Sequence, residues 1–278
     1  MMRSLIVSCV VLLALSLAVA PALAQEEAKE PTFEEQFTAQ LEEWLPGMGA
    51  EKIPERGGPQ QALQNLVFSL GGPGHEEELK IVCAVVATKL GPETAQPARI
   101  WLLRVLEFNG GPECVEAVAK CLDDRDAQVR EAARRCLANN PAPEANQKLL
   151  DTLGKARDGR AKAALANALG YRADAKSVSA LAGLLGDRDE AVVAAAANAL
   201  GKIADDAATR ALAGAVKKVP DKLKAPVADA YLRCADKLLS ENKRNEAKAI
   251  YQQMAGADMP KATRLAAMQG MLKVTGGK

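Results

Sequence analysis

The sequence predicts an all-α protein whose helices form an α-solenoid, a stack of antiparallel pairs with about 31 residues in each repeat. Short motifs recur along the chain at this spacing, or near twice it. The recurrences are ANALG at 166–170 and 197–201, ALAG at 180–183 and 211–214, and DRD at 124–126 and 187–189. Composition agrees, because 49% of the residues are apolar and only 3% are aromatic, which suits close-packed helices better than strands.

The N-terminus has the layout of a secretory signal peptide, which we assign to residues 1–24. Arg3 supplies the positive charge, residues 5–19 form an apolar stretch, and Ala22-Leu23-Ala24 resembles a signal peptidase site. Residues 25–31 follow as a charged linker. The sequence therefore predicts export to the periplasm or the cell exterior, with a Gram-negative bacterium as the expected source. Because the apolar stretch is short, we expect no stable membrane insertion after cleavage.

Charge and residue inventory argue against several kinds of function. Without Arg3, 35 basic residues balance 35 acidic ones, so there is no electrostatic case for a nucleic-acid partner. His75 is the only histidine, and no Cys or His spacing indicates a metal site. We therefore predict no catalytic residues, no metal and no cofactor, and expect a protein that is not an enzyme.

Five cysteines remain after the predicted cleavage, and an odd number leaves at least one thiol free. Cys114 and Cys121 lie two turns apart on one predicted helix, too far for a disulfide. Small, buried thiols are the favoured interpretation, since free cysteine is among the most buried residue types. A Cys121–Cys136 disulfide within one helix pair is the principal alternative.

Apolar stripes at helical spacing place the helices. The predicted ranges are 33–45, 60–70, 75–90, 96–108, 112–123, 126–138, 143–155, 158–170, 174–185, 188–203, 206–217, 222–240, 243–255 and 260–273. Pro46-Gly47 is expected to end the first helix. Gly57-Gly58-Pro59 is expected to end the loop that follows and to mark the start of the second helix. Asp126 and Asp189 stand where the N-caps of second helices are expected.

The stretches LDDRDAQVREAARRCLA at 122–138 and LLGDRDEAVVAAAANALGKI at 184–203 resemble HEAT or HEAT-like repeats of the bacterial kind also seen in phycobiliprotein lyases. We assign residues 95–219 to these repeats and 32–94 to an N-terminal helical cap region. Residues 220–278 resemble tetratricopeptide-type hairpins, through Ala228, Tyr231, Ala235, Leu239, Asn245, Ala247, Tyr251 and Pro260. The resemblance implies an interaction scaffold that binds a protein on its concave face; the alternative it implies is a HEAT-like lyase or a chromophore-handling enzyme.

One set of polar residues recurs at the same position of successive second helices, 31 or 32 residues apart. We call this set the ladder: Arg104, Arg135, Asn167, Asn198 and Asp229. Each lies roughly opposite the apolar stripe of its helix, and the residues just before them are mostly small. Since stacked helices lie about 8–10 Å apart, the ladder should form a continuous row that could bind a partner protein. The alternative is an ordinary solvated helix face.

Overall fold

The computed structural model describes residues 30–276, and within that range the protein consists of α-helices and two short 3-10 turns, without strands. The helices are α1 (Phe33–Met48), α2 (Ile53–Leu70), α3 (Glu76–Thr88), α4 (Gln96–Asn109), α5 (Pro112–Lys120), α6 (Ala127–Asn139), α7 (Pro143–Lys155), α8 (Gly159–Arg172), α9 (Val178–Leu184), α10 (Glu190–Ile203), α11 (Asp206–Ala215), α12 (Asp221–Ser240), α13 (Arg244–Met254) and α14 (Lys261–Gly276). The predicted all-α class is confirmed. The predicted signal peptide and most of the linker lie outside the described residues.

The helices stack in two layers, as the predicted α-solenoid requires. Successive even-numbered helices pack side by side from α2 to α14, and the odd-numbered helices form the other layer. Each even helix also packs on the odd helix that precedes it, so a hairpin is the repeating unit. None of the helices in this part of the chain is both long enough and apolar enough to cross a bilayer.

Small residues bring the even helices unusually close together. A Cβ atom built on Gly170 of α8 would lie 2.5 Å from the Ala199 Cα of α10. One repeat later, a Cβ atom on Gly201 would lie 2.8 Å from the Ala230 Cα of α12. In the odd layer, by contrast, a groove of about 680 Å³ opens between α9 and α11. The even helices are therefore packed more closely than the odd helices in this part of the array.

A continuous apolar core lies between the two layers. The predicted stripe residues Val118, Val129 and Leu200 are fully buried. Leucines and alanines dominate this core, and its cysteines are buried with them. At about 25 cal/mol for each Å² of apolar surface buried, such contacts between neighbouring hairpins supply most of the stabilisation. A single hairpin could not bury its stripe alone.

The DRD turns cap the following helices. Asp126 accepts hydrogen bonds from the Gln128 and Val129 backbone N–H groups at 2.8 and 3.0 Å. Asp189 accepts one from the Ala191 N–H at 2.8 Å. The predicted N-caps are therefore confirmed, and each satisfies N–H groups that a helix start leaves without a partner.

The predicted boundaries of the first two helices are wrong. Helix α1 continues through Pro46 to Met48, and α2 begins at Ile53, so Pro59 lies inside α2 rather than at its start. A Cβ atom on Gly47 would lie 2.6 Å from the Pro59 ring. Gly47 thus allows close packing of α1 on α2, whereas the sequence suggested that it ends a helix.

Candidate interaction face

Each of the helices α4, α6, α8, α10 and α12 carries one ladder residue on the free side of the even layer. Arg104, Arg135, Asn167 and Asp229 are exposed, and Asn198 is half-buried. One ladder residue therefore lies on each successive even helix from α4 to α12. These side chains lie on the surface of the even layer, which the sequence predicted to be the concave, partner-binding side.

Hydrogen bonds and ion pairs connect this face from one repeat to the next. Arg135 Nη2 of α6 lies 3.3 Å from Glu107 Oε2 of α4, and Glu107 also accepts a 3.3 Å hydrogen bond from Asn139. Further along, Arg233 of α12 donates a 3.0 Å hydrogen bond to the Asn198 side-chain oxygen of α10. These contacts fix the spacing of the polar side chains before any partner binds.

The Asn167 amide lies between these two connected regions. Within residues 30–276, no group forms a hydrogen bond or ion pair with the side chain of Asn167 or of Asp229. An exposed amide can both donate and accept hydrogen bonds, so Asn167 remains available to an incoming backbone. It is the central rung of the ladder.

A second row of exposed side chains lies one turn after the ladder on the same helices. Its members are Phe108, Asn139, Tyr171, Lys202 and Arg233, again 31 or 32 residues apart. Phe108 is 74% exposed and Tyr171 is 62% exposed, which is high for large aromatic residues. The sequence prediction did not include this row, although the same period applied four residues later identifies it.

A third aromatic side chain lies one turn before Arg104. Trp101 of α4 is half-buried, and the Arg104 guanidinium lies 5.6 Å from the centre of its ring. Such a cation–π contact orients the arginine, with a contribution on the order of 0.5–1 kcal/mol at an exposed site. Trp101 and Phe108 thus place two aromatic side chains at the α4 end of the face.

The cysteines form no disulfide within the described chain. The Cys121–Cys136 alternative is not realised: both residues are buried free thiols. Cys121 instead donates to the backbone oxygens of Leu90 and Ala117, at 3.8 and 3.6 Å. Burial explains this arrangement, as each sulfur replaces an apolar side chain in the core.

Burial also raises the pKa of the Cys83 thiol to about 12 and that of Cys121 to about 11. For Cys136, a hydrogen bond with Cys114 and burial both raise the pKa above its usual range. The thiolate is the reactive form of cysteine, so these three side chains are poor nucleophiles.

His75 lies at the start of α3, and its Nδ1 is 3.9 Å from the Glu78 carboxylate on the exposed surface. Across residues 30–276, no three His, Cys, Asp or Glu side chains come together in a way that could hold a metal ion.

The model of the HEAT repeats family matches residues 84–170 and, in a second match, residues 146–231. Together these matches span more than half of the sequence. The chain belongs to the HEAT repeat family. All five ladder residues lie inside the matched region, so the ladder is a feature of the HEAT repeats themselves. No functionally curated protein matches the sequence.

Several solved structures are similar to this HEAT repeat protein at low identity. An engineered protein is 20% identical, with 86% of this chain and 69% of that chain covered and a TM-score of 0.39. The complex of CpcE and CpcF of phycocyanin lyase from Nostoc sp. PCC7120 is 17% identical, with 92% of each chain covered and a TM-score of 0.42. A designed armadillo repeat protein is 17% identical, with coverages of 86% and 98% and a TM-score of 0.33.

Proposed function

We propose that this HEAT repeat protein is an exported, non-catalytic scaffold that binds a segment of a partner protein on its concave face. HEAT repeats generally mediate protein interactions. The ladder and the second row would form the binding surface. The observation that supports this most is the exposed Tyr171 one turn after the unpaired Asn167 amide on α8, with the exposed Phe108 at the equivalent position of α4. Exposed aromatic side chains beside adaptable polar ones are typical of interaction surfaces.

The charge of the face indicates the kind of segment. The ten positions of the ladder and the second row hold four basic residues and one acidic residue. A segment that combines acidic with apolar side chains would complement this surface. The aromatic rings would contribute affinity, and the charges would mainly contribute specificity and association rate.

Asn167→Arg combined with Asn198→Arg tests the proposal. The two long arginine side chains would occupy the space above the central rungs and remove the Asn167 amide, so they would block a bound segment sterically, while both positions lie outside the core. Capture of a defined partner from the native cell envelope should fall at least about 30-fold, since central contacts in an interface commonly cost 2 kcal/mol or more. Circular dichroism should show an unchanged melting curve.

Gln147→Arg is the matched control, because Gln147 is exposed on α7 in the odd layer. It adds the same kind of charge to the convex side and should leave capture unchanged. Equal capture by the double variant and the control would contradict the proposal. So would equal loss in both, since that would make net charge responsible.

Export is proposed from the N-terminal sequence pattern. The mature protein should be found in the periplasmic or extracellular fraction, with Gln25 as its first residue by mass spectrometry. An intact N-terminus in the cytoplasmic fraction would contradict this.

The same sample tests the lyase or chromophore-handling alternative, because a bound chromophore would give the purified protein a visible absorbance band.

A further inference from the structure

The two ends of the array carry opposite charge. The α1–α2 hairpin (33–70) contains six acidic and two basic residues, a net charge of −4. The α13–α14 hairpin (244–276) contains five basic and two acidic residues, a net charge of +3. Helix α1 has no basic residue and α14 has no acidic one. A protein that is nearly neutral as a whole is therefore polarised from one end to the other.

The C-terminal end exposes an apolar stripe. Leu265, Met268 and Leu272 of α14 are 53%, 47% and 70% exposed, at spacings of three and four residues on one side of the helix. The opposite side of α14, with Thr263 and Ala267, is buried against the array. A row of exposed apolar side chains on one side of a helix is a surface that a further helix could cover.

The N-terminal end exposes a matching uncharged surface. Phe68 and Ile53 of α2 are 86% and 75% exposed, and no charged residue occurs from Gly57 to Leu70. A Cβ atom added to Gly57 would meet no atom within 4 Å. Because Gly57 has no side chain, a second helix could approach α2 closely there, as Gly170 and Gly201 allow between α8, α10 and α12.

We propose that copies of this protein associate head to tail, with α14 of one copy packing on α2 of the next. The stripe of α14 would cover the exposed Phe68, the remaining length of the 16-residue α14 would extend along α2 toward Ile53, and the basic hairpin would face the acidic one. Both layers would then continue from copy to copy. Such an interface joins two different surfaces, so it generates open chains or closed rings. The proposal is independent of what binds the concave face.

Phe68→Asp and Leu272→Asp each disable one end. Both residues are exposed, so each variant should fold, with a melting curve like that of the wild type. The wild-type full-length chain should show a mass that rises with concentration in sedimentation velocity. Each variant alone should form at most weak complexes, with association weakened at least about 30-fold. Association of the wild type should also weaken from about 50 mM to about 500 mM salt, because the ends attract electrostatically.

Mixing the two variants gives the decisive result, because each retains the end that the other lacks. A 1:1 mixture should form a discrete dimer that grows no further. Tyr171→Asp, which alters the concave face, should assemble like the wild type. Ile53→Asp with Leu265→Asp provides a second pair if either first variant melts early.

Three results would overturn the proposal. The wild type could remain monomeric at every accessible concentration, which would leave both ends free. Phe68→Asp alone could associate like the wild type, which would show that α14 pairs with another α14. The mixed variants could fail to dimerise although each is folded, which would show that the two ends do not bind each other.

Discussion

At the scale of single residues, a repeated charge pair fixes the turns between helices. Arg99 of α4 pairs with Asp124 in the first DRD turn, and the two side chains are 9% and 15% exposed. Lys162 of α8 pairs with Asp187 of the second DRD turn at 2.9 Å. Each of these two residues lies 63 positions after its counterpart in the first pair. Each pair joins one hairpin to the next.

Arg99→Ala should lower the free energy of unfolding by about 2 kcal/mol, because it leaves the mostly buried Asp124 carboxylate without its cation. Lys162→Ala is the matched change at the more exposed pair and should cost less than about 1 kcal/mol. Urea denaturation followed by circular dichroism measures both. A larger loss for Lys162→Ala would contradict the assignment.

The same carboxylates make stability depend on pH. Burial acts to raise the pKa of Asp124, but hydrogen bonds from Asp126 and Arg99 outweigh it and hold that pKa below its usual value. The Asp189 backbone N–H and Lys162 likewise lower the pKa of Asp187. A lowered folded-state pKa stabilises the fold above the ordinary aspartate pKa of about 3.9, and this contribution is lost as the pH falls through the folded-state value. As the pH is lowered below about 4, the melting temperature of Asp187→Asn should therefore fall less steeply than that of the wild type. Equal dependence of the two melting temperatures on pH would contradict this contribution of Asp187.

The five buried thiols report on opening of the core. Ellman's reagent should label them at least about 100-fold more slowly in native protein than in denaturant, since burial blocks access of the reagent to all five. Mass spectrometry of the denatured protein should find Cys83, Cys114, Cys121, Cys136 and Cys234 all labelled. Failure to label Cys121 and Cys136 would indicate the disulfide that the structure lacks.

At the scale of helices, contacts between glycine and alanine backbones set the spacing of the even layer. Gly170→Ala would place a Cβ atom against the Ala199 backbone and should cost about 1–3 kcal/mol. Gly154→Ala, in α7, meets no atom within 4 Å and should stabilise by about 0.5–1 kcal/mol through helix propensity. Thermal melts that show the same sign for both would contradict the close approach of α8 and α10.

Helix boundaries were predictable where the period and the caps agree, as at Asp126 and Asp189. They were not predictable at the N-terminus, because Gly47 and Pro59 normally mark the ends of helices. Here the glycine accommodates the proline ring of the neighbouring helix, and only the packing of α1 on α2 reveals that. Local residue preference was overridden by tertiary contact.

At the scale of the whole molecule, stacking in sequence order was predictable from repetition alone, and so was the occurrence of one ladder residue on each even helix from α4 to α12. Exposure of Phe108 and Tyr171 was not, because an aromatic residue in a helix is more often part of the core. The apolar ends were also hidden, since a sequence pattern does not show which helices lack a neighbour.

The central claim is that a partner protein lies on the concave, even-helix face. A photo-cross-linking amino acid at Tyr171, and in a second variant at Gln147, tests it most directly in cells of the native host. We predict one defined adduct from position 171, lost with Asn167→Arg and Asn198→Arg, and no such adduct from position 147. The same adduct from position 147, or its persistence in the double variant, would contradict the account.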